Sequence, residues 1–391
     1  MPAKRGAHIH PHHQQSYDVA VLGGGVAGLG VAWRARERGL SVVVLDRGEL
    51  GAAASSVAAG MLAPVTEADS GERALLELAL QSARSWPAFA AELHALTGID
   101  VGHSACGTLV VARDRDEAEA LERELELRER LGLRAERLLP SAARRLEPAL
   151  APGLRLALDV PGDHAVDPRL LTAALARAAE SMGAVLRPRT GVERLEHDGR
   201  RVTGLALVSG EYVAAAQVVV AAGSWSGALE GLPEDARVPV RPVKGQTLRL
   251  RDQAGPGLLT RVVRFDGGYL VPRGDGRYVL GATMEERGFD TAITAGAVHD
   301  LLRDAAELVP GVLELEIEEL VAGLRPATPD NAPVLGAGPA LDGLVWATGH
   351  HRNGILLAPV TADLVAAELA GVAPSHAFGP ERFARVAEAA R

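Results

Sequence analysis

The segment from Tyr17 to Asp46 constrains the fold of this chain more than any other, because it reads as a complete βαβ unit. The apolar run 19–22 is typical of a parallel strand that is buried on both faces. Gly23, Gly25 and Gly28 follow it in a G-x-G-x-x-G pattern. In such a turn the first glycine permits the tight bend and the second lets the backbone approach a pyrophosphate. The third lets the helix pack on the strand.

The helix after this turn is predicted to begin near Val26 and to run to Arg38, where Gly39 ends it. Its N-terminal amides and positive dipole end suit phosphate groups. A second apolar strand, 42–45, leads into Asp46, whose carboxylate can accept hydrogen bonds from an adenosine ribose. Because all these parts occur in register, a chance turn in a glycine-rich chain is the weaker explanation. The segment therefore predicts dinucleotide binding.

Composition excludes several other classes of protein. With 391 residues, 47% of them hydrophobic, the chain can bury a large core and is long enough for two domains. A net charge of −9 without a basic, aromatic stripe argues against nucleic-acid binding. No stretch reaches the roughly 18 to 20 apolar residues of a membrane span, so no membrane is expected. Cys106 is the only cysteine, which rules out a cysteine-based metal cluster and fits a cytoplasmic location.

The remaining chain alternates between helical and extended patterns. Residues 1–16 contain no apolar region of the kind that a secretory signal has, and they are expected to form a disordered polar leader. Hydrophobic periodicity predicts further helices at 75–96, 116–131, 168–182 and 297–309, and a last helix that ends at Leu369. It predicts strands at 107–112, 184–189, 192–197, 200–208, 217–222 and 344–348, and a hairpin over 267–283. A β-rich block thus interrupts the α/β pattern, which indicates two interleaved domains.

Five segments together give the chain a family resemblance: the N-terminal unit, ASSVAAGMLAP, VVVAAGSWS, GLRPATPDNAPVLG and ATGHHRNGILLAP. From Tyr17 to Leu369 the chain resembles flavin oxidases of the D-amino-acid oxidase superfamily, and within it the glycine oxidases of bacterial thiamine biosynthesis. The resemblance implies an α/β fold in which a Rossmann-like FAD-binding domain interleaves with a smaller α+β substrate domain on a mixed sheet. The FAD-binding domain is expected at 17–85, 160–237 and 322–391, and the substrate domain at 86–159 and 238–321.

The resemblance also assigns cofactor contacts. The ADP half of FAD is expected near Val26, Ala27, Asp46, Arg47 and the backbone of Val192. The pyrophosphate and isoalloxazine are expected near Ala54, Ser55, Ser56, Ala59, Gly60 and Met61, with Gly223 at the end of a neighbouring strand. The flavin ring is expected near His351, Arg352, Asn353, Gly354, Ile355, Leu356 and Leu357. A helix that begins near Asn353 would point its N-terminal donors at the electron-rich edge of reduced flavin. At His351 the family more often has an aromatic residue.

For the substrate, the resemblance nominates Arg325, Tyr269, Met284 and Arg352. A planar guanidinium can hold the carboxylate of an amino acid through two parallel hydrogen bonds, and the Tyr269 hydroxyl would add a donor. The alternatives are a surface salt bridge for Arg325, a hairpin core residue for Tyr269 and plain packing for Met284. Lys244 is expected to be a strand lysine with its ammonium in solvent; the alternative places it beside the flavin.

The resemblance implies FAD-dependent oxidative deamination of glycine and other small amines or D-amino acids. Hydride would pass from Cα to flavin N5, and dioxygen would be reduced to hydrogen peroxide. The products, an imine or glyoxylate and ammonia, would feed thiazole formation. A small amino acid and dioxygen are the expected substrates. The protein is expected to form a homo-oligomer. The alternatives are a larger D-amino-acid or sarcosine oxidase or dehydrogenase, a flavin-binding protein without turnover, and an NAD-dependent dehydrogenase. Sarcosine oxidases attach flavin through a cysteine near the end of the chain, so with Cys106 alone FAD is expected to be noncovalent.

Overall fold

The computed structural model describes residues 16–372 and 376–383, so the predicted leader lies outside it except for Ser16. The helices are α1 (Val26–Glu37), α2 (Ala54–Val57), α3 (Arg73–Thr97), α4 (Arg115–Arg130), α5 (Pro140–Leu146), α6 (Pro168–Ser181), α7 (Ala295–Leu308) and α8 (Ala358–Leu369). The first strands are β1 (Ser16–Leu22), β2 (Val42–Leu45), β3 (Met61–Leu62), β4 (Thr108–Ala112), β5 (Glu136–Leu138), β6 (Leu156–Val160), β7 (His164–Ala165), β8 (Val185–Arg187) and β9 (Val192–His197). The remaining strands are β10 (Val202–Leu207), β11 (Tyr212–Val220), β12 (Arg241–Arg251), β13 (Val262–Phe265), β14 (Gly268–Pro272), β15 (Arg277–Gly281), β16 (Glu316–Ala327), β17 (Val334–Ala337) and β18 (Leu344–Thr348).

The first sheet carries the predicted βαβ unit. Its main path runs β17-β18-β11-β1-β2-β8, and β10 and β9 extend from β11 as antiparallel strands. β1 lies between β11 and β2 and is parallel to both, so the carboxyl ends of these three strands meet at one edge. Helix α1 packs against α6 and α8 on one face of the sheet. Open α/β sheets bind their ligands at such an edge.

The second sheet supplies the opposite wall of the molecule. Its order is β16-β12-β15-β14-β13-β4-β6-β5, and its pairs are antiparallel except for β13 with β4. Side chains of α7 and of one sheet face form its hydrophobic core, with Leu248, Leu280, Leu301 and Leu308 fully or almost fully buried. The two sheets confirm the predicted mixed α/β fold class.

Most predicted elements are found within a few residues of their predicted bounds. Asp167 begins α6 because its carboxylate accepts a hydrogen bond from Arg169 N at 3.0 Å, and Pro168 suits the first turn. The strand predicted at 217–222 is wrong at both ends, since β11 spans Tyr212–Val220. The domain division stays a prediction. Strands β6 and β16 cross its boundaries at 160 and 322. Across residues 16–372 and 376–383, no helix is both long and apolar enough to cross a membrane.

Candidate active site

A cavity of about 1060 Å³ lies between the two sheets. Its lining includes these predicted cofactor residues: Gly23, Gly25, Val26, Ala27, Asp46, Arg47, Ala54, Ser55, Ala59, Gly60, Met61, Val192, Gly223, His351, Arg352, Asn353, Gly354, Ile355 and Leu356. It also includes the predicted substrate residues Tyr269, Met284 and Arg325. Residues more than 300 positions apart in the sequence therefore share one site.

Three predicted cofactor residues lie outside this lining: Gly28, Ser56 and Leu357. Gly28 instead packs α1 on β1, because a Cβ at this position would overlap the Gly23 carbonyl oxygen. The Ser56 hydroxyl donates to Ala52 O at 3.0 Å, and Leu357 is fully buried in the core at the start of α8.

The glycine turn closes tightly over the carboxyl end of β1. Gly23 has φ of 111°, a conformation that favours glycine, and a Cβ there would meet the Ala221 carbonyl. At Gly25, which caps α1, a Cβ would lie 3.2 Å from the Ser55 hydroxyl oxygen. The same hydroxyl accepts a hydrogen bond from Val26 N at 3.1 Å. One α1 amide therefore holds the α2 segment in place, and the space beside Gly25 remains open for a phosphate.

Asp46 and Arg47 line the cavity just beyond β2. The Asp46 carboxylate accepts from Gly24 N at 2.7 Å and from Gly48 N at 2.8 Å, which fixes its orientation. The guanidinium carbon of Arg47 lies 3.9 Å from the ring centroid of Trp225, which also lines the cavity. Trp225 was not predicted as a site residue, although it stands in the VVVAAGSWS segment that carried the resemblance.

Arginines from outside the small-residue run 54–60 hold two of its main-chain carbonyls. Arg249 on β12 donates to Ser56 O, and Arg273 donates to Ala59 O at 2.5 Å. Burial lowers the pKa of Arg273 to about 10. The sequence did not reveal these contacts, because almost every basic residue of the chain is an arginine and none of these lies near the run in sequence.

The turn after β18 carries His351. This residue has φ of 46°, and its Nδ1 is buried without a hydrogen-bond partner among the described residues. Burial, followed by the charges of Arg352, Arg325 and Arg241, lowers the pKa of His351 to about 4. The imidazole is therefore neutral at ordinary pH, and its residue lines the cavity.

The predicted helix start near Asn353 is wrong. Residues His351–Asn353 form a 3₁₀ turn, and α8 begins at Ala358. Pro359 explains the difference, because proline favours the first turn of a helix and lacks the amide donor that an interior position needs. The turn still lines the cavity, but α8 itself begins several residues later.

Arg325 and Tyr269 face the cavity from two strands of the second sheet, β16 and β14. One terminal nitrogen of Arg325, Nη1, donates to Thr283 O at 3.0 Å and to Lys244 O at 3.3 Å. The guanidinium also hydrogen-bonds the Tyr269 hydroxyl, and its remaining N–H groups can donate to a ligand. Burial raises the pKa of Tyr269, and the Arg325 charge opposes that shift. The phenol is therefore protonated and can donate a hydrogen bond beside the guanidinium.

Arg352 differs from Arg325 because a carboxylate already faces it. Its Nε lies 2.5 Å from Oε2 of Glu67, and Nη2 of Arg264 lies 3.3 Å from the other carboxylate oxygen. Glu67 lines the cavity, yet no sequence pattern marked it. Met284 also lines the cavity but is 63% exposed, so it lies at the edge of the site.

The expected solvent exposure of Lys244 is wrong, and so is the alternative beside the flavin. The side chain is fully buried, and Nζ lies 2.8 Å from Asp290 Oδ2. Side chains alternate between the faces of a strand, and Gly245 and Thr247 are the β12 residues that line the cavity. Lys244 therefore points to the opposite face of the sheet.

The cavity fits an FAD molecule. A glycine turn and the N-terminus of α1 offer the pyrophosphate site, and an oriented carboxylate at Asp46 offers the ribose site. In the described ranges, no group of three or more His, Cys, Asp or Glu side chains is arranged to hold a metal ion.

Comparisons with known proteins agree with this fit. Residues 18–368 match the family DAO, FAD dependent oxidoreductase. Glycine oxidase from Geobacillus kaustophilus is 40% identical over 90% of this chain and 92% of that protein, and its crystal structure superposes with a TM-score of 0.86 over 94% and 98% of the two chains. The bifunctional protein ThiO/ThiG of a Synechocystis species is 36% identical over 95% of this chain and 54% of its own length. The chain belongs to the DAO family of FAD-dependent oxidoreductases, and FAD is its cofactor.

Proposed function

We propose that this enzyme oxidises glycine, and other small amines or D-amino acids, with dioxygen as the electron acceptor. The observation that carries the proposal is the pair of donors formed by Arg325 and Tyr269 in the cavity. The similarity to glycine oxidase from Geobacillus kaustophilus supports glycine as a substrate. The products would be hydrogen peroxide, ammonia and the imine or glyoxylate.

Bound FAD supplies the hydride acceptor, and the protein's task is to place the substrate. Arg325 holds the carboxylate through its free guanidinium nitrogens, and Tyr269 donates a further hydrogen bond. Together they fix the angle at which Cα approaches, which matters because hydride transfer needs a near-attack geometry. The neutral His351 adds no second charge beside the substrate.

The charges around the cavity favour a substrate with one carboxylate. Arg352 and Arg264 both face Glu67, whereas Arg325 has no carboxylate partner among the residues that the structure describes. A second substrate carboxylate would have to compete with Glu67 for its arginines. We therefore expect small monocarboxylic amino acids to react better than dicarboxylic ones.

Anaerobic reduction tests the proposal. Glycine, sarcosine, D-alanine and D-proline are mixed separately with the purified enzyme, and bleaching of the oxidised flavin absorbance is followed. Glycine should bleach the flavin, and air should restore the colour with formation of peroxide. Bleaching by D-alanine but not by glycine would make this a general D-amino-acid oxidase. Bleaching without oxygen uptake would make it a dehydrogenase, and no bleaching at all would leave a flavin-binding protein.

The pH dependence sharpens the same test. Hydride transfer needs the amine lone pair, so only the neutral amine reacts and kcat/KM should rise through the alkaline range. Neither His351, with a pKa of about 4, nor Tyr269, whose deprotonation would remove a proposed substrate donor, predicts such a rise. A rise that follows the amine pKa of each substrate in turn would support this attribution.

We further propose that the products feed thiazole formation in thiamine biosynthesis, in the cytoplasm, and that the enzyme is a homo-oligomer. The similarity to a bifunctional ThiO/ThiG protein supports the pathway, and a single half-buried cysteine suits a reducing compartment. Ile317 and Leu320 are exposed on the edge strand β16, where strands tend to pair with other chains. Light scattering at micromolar concentration tests the assembly, and the mass of a single chain would contradict it.

A further inference from the structure

We propose that Gly245 on β12 is a positioning residue for substrate binding, because its missing side chain is the space in which the Arg325 guanidinium lies. The inference rests on the proposed role of Arg325 in holding the substrate carboxylate. Gly245 lines the cavity but has no donor or acceptor on a side chain, so its contribution is steric.

Strand register brings the two residues together. β12 pairs with β16 in antiparallel register, with Val243 opposite Arg325 and Gly245 opposite Gly323. Residues directly opposite each other share a sheet face, and diagonal neighbours on that face lie within reach of long side chains. Arg325 therefore leans along the cavity face across the position of Gly245.

The available space shows why a glycine stands there. A Cβ at Gly245 would lie 2.6 Å from both Cζ and Nη2 of Arg325. The backbone of Gly245 is not in the left-handed region, so no turn requires glycine at this position. The guanidinium thus lies against bare backbone, where Nη1 reaches the carbonyls of Lys244 and Thr283.

The neighbouring donor has the same arrangement. Tyr269 is opposite Gly281 in the pairing of β14 with β15, and a Cβ at Gly281 would lie 2.9 Å from Cε2 and 3.0 Å from the hydroxyl oxygen of Tyr269. Both proposed carboxylate donors therefore rest on glycines of adjacent strands. An added methyl group would lift either donor away from the sheet and into the space that the substrate would occupy.

Gly245→Ala tests the inference. The methyl group should push the guanidinium off the Thr283 and Lys244 carbonyls, while leaving FAD bound. We expect the KM for glycine, and the Kd of acetate measured by perturbation of the flavin spectrum, each to rise about tenfold, as for a weakened charge-assisted contact. Gly257→Ala is the matched control, because no atom lies within 4 Å of a Cβ at that exposed position. It should leave both constants unchanged.

A double-mutant cycle separates positioning from a general structural effect. In an Arg325→Ala background the displaced guanidinium is absent, so Gly245→Ala should add little to either constant. An equal effect in both backgrounds, or no effect of Gly245→Ala alone, would overturn the inference and leave the proposed function standing. No effect of Arg325→Ala itself would overturn the inference together with the proposed role of Arg325.

Loss of FAD from the single variant would also be informative. If overlap with Arg325 is the cause, the double variant Gly245→Ala/Arg325→Ala should recover the flavin, since it lacks the overlapping group. Absorbance of the purified proteins measures this recovery. A double variant that remains colourless would overturn the inference, because the added methyl group would then disturb something other than Arg325.

Discussion

The two ends of the cavity are built from the chain in different ways. The proposed phosphate end depends on backbone and on neighbours in sequence, since Gly23, Gly25 and Asp46 all belong to one βαβ unit. The proposed substrate end depends on side chains from strands that are distant in sequence, with Tyr269 on β14 and Arg325 on β16. A motif therefore locates the first end, whereas sheet register locates the second.

The largest effect is expected from Gly25→Val, which tests the backbone-dependent end. A Cβ there would lie 3.2 Å from the Ser55 hydroxyl oxygen, and the γ methyl groups of valine would intrude where the backbone is proposed to approach the pyrophosphate. The variant should purify without flavin colour. Gly296→Val, at an exposed position with open space around it, is the control and should remain yellow. Full flavin content in Gly25→Val would place the pyrophosphate elsewhere.

Arg325→Ala should separate the two ends, because it removes the proposed substrate contact and leaves the proposed phosphate end untouched. We expect normal flavin content and a fall in kcat/KM for glycine on the order of ten- to a hundredfold, before any misorientation of Cα is counted. Arg325→Lys should recover only part of this loss, since an ammonium lacks the planar fork. Unchanged kcat/KM in Arg325→Ala would assign the residue to structure alone.

The turn that follows β18 should make the stability of the protein sensitive to acid. Burial lowers the pKa of His350, next to His351, from 6.5 to about 4. Between these values the unfolded chain binds a proton that the folded chain does not, so the free energy of unfolding falls as pH drops from 6.5 to about 4. The full contribution of His350 is about 3 kcal/mol as an upper bound.

Urea unfolding at several pH values measures this sensitivity. His350→Gln can keep a hydrogen bond to the Thr361 hydroxyl, which accepts or donates at 2.9 Å in the native turn, and it should flatten the fall. His299→Gln, on the exposed surface of α7, should retain the wild-type slope. Equal slopes in all three proteins would mean that His350 is not buried as a neutral group.

The smallest effect is expected from Tyr269→Phe. The variant loses one hydrogen bond from a protonated phenol and keeps the ring that packs over Gly281. A bond to a carboxylate that Arg325 still holds contributes about 1.5 kcal/mol, the low end for a charged partner, so kcat/KM for glycine should fall roughly tenfold. Flavin content should not change. A loss as large as that of Arg325→Ala would make the hydroxyl an equal partner in holding the carboxylate.

The same contrast explains how much the sequence could predict. The glycine turn, α1 and Asp46 were predictable because each depends on residues a few positions away. Arg325 was nominated through a family motif and not through its surroundings, and its substrate role stays a prediction. The contact of Glu67 with two arginines and the position proposed for Gly245 had no local signal, because they depend on strand pairing and on contacts between residues distant in sequence. The start of α8 was mispredicted although Pro359 marked it in the sequence.

The hydrogen bonds from two arginines to main-chain carbonyls of residues 54–60 affect which positions of this protein can be substituted. Arg249 and Arg273 contact the carbonyl oxygens of Ser56 and Ala59, and every amino acid carries that group. Substitutions at 56 and 59 whose side chains fit the available space therefore keep these hydrogen bonds. Replacing Arg249 or Arg273 removes its hydrogen bond, regardless of which residues stand at 56 and 59. In a collection of natural or randomised variants, positions 56 and 59 should therefore tolerate substitution more readily than Arg249 and Arg273.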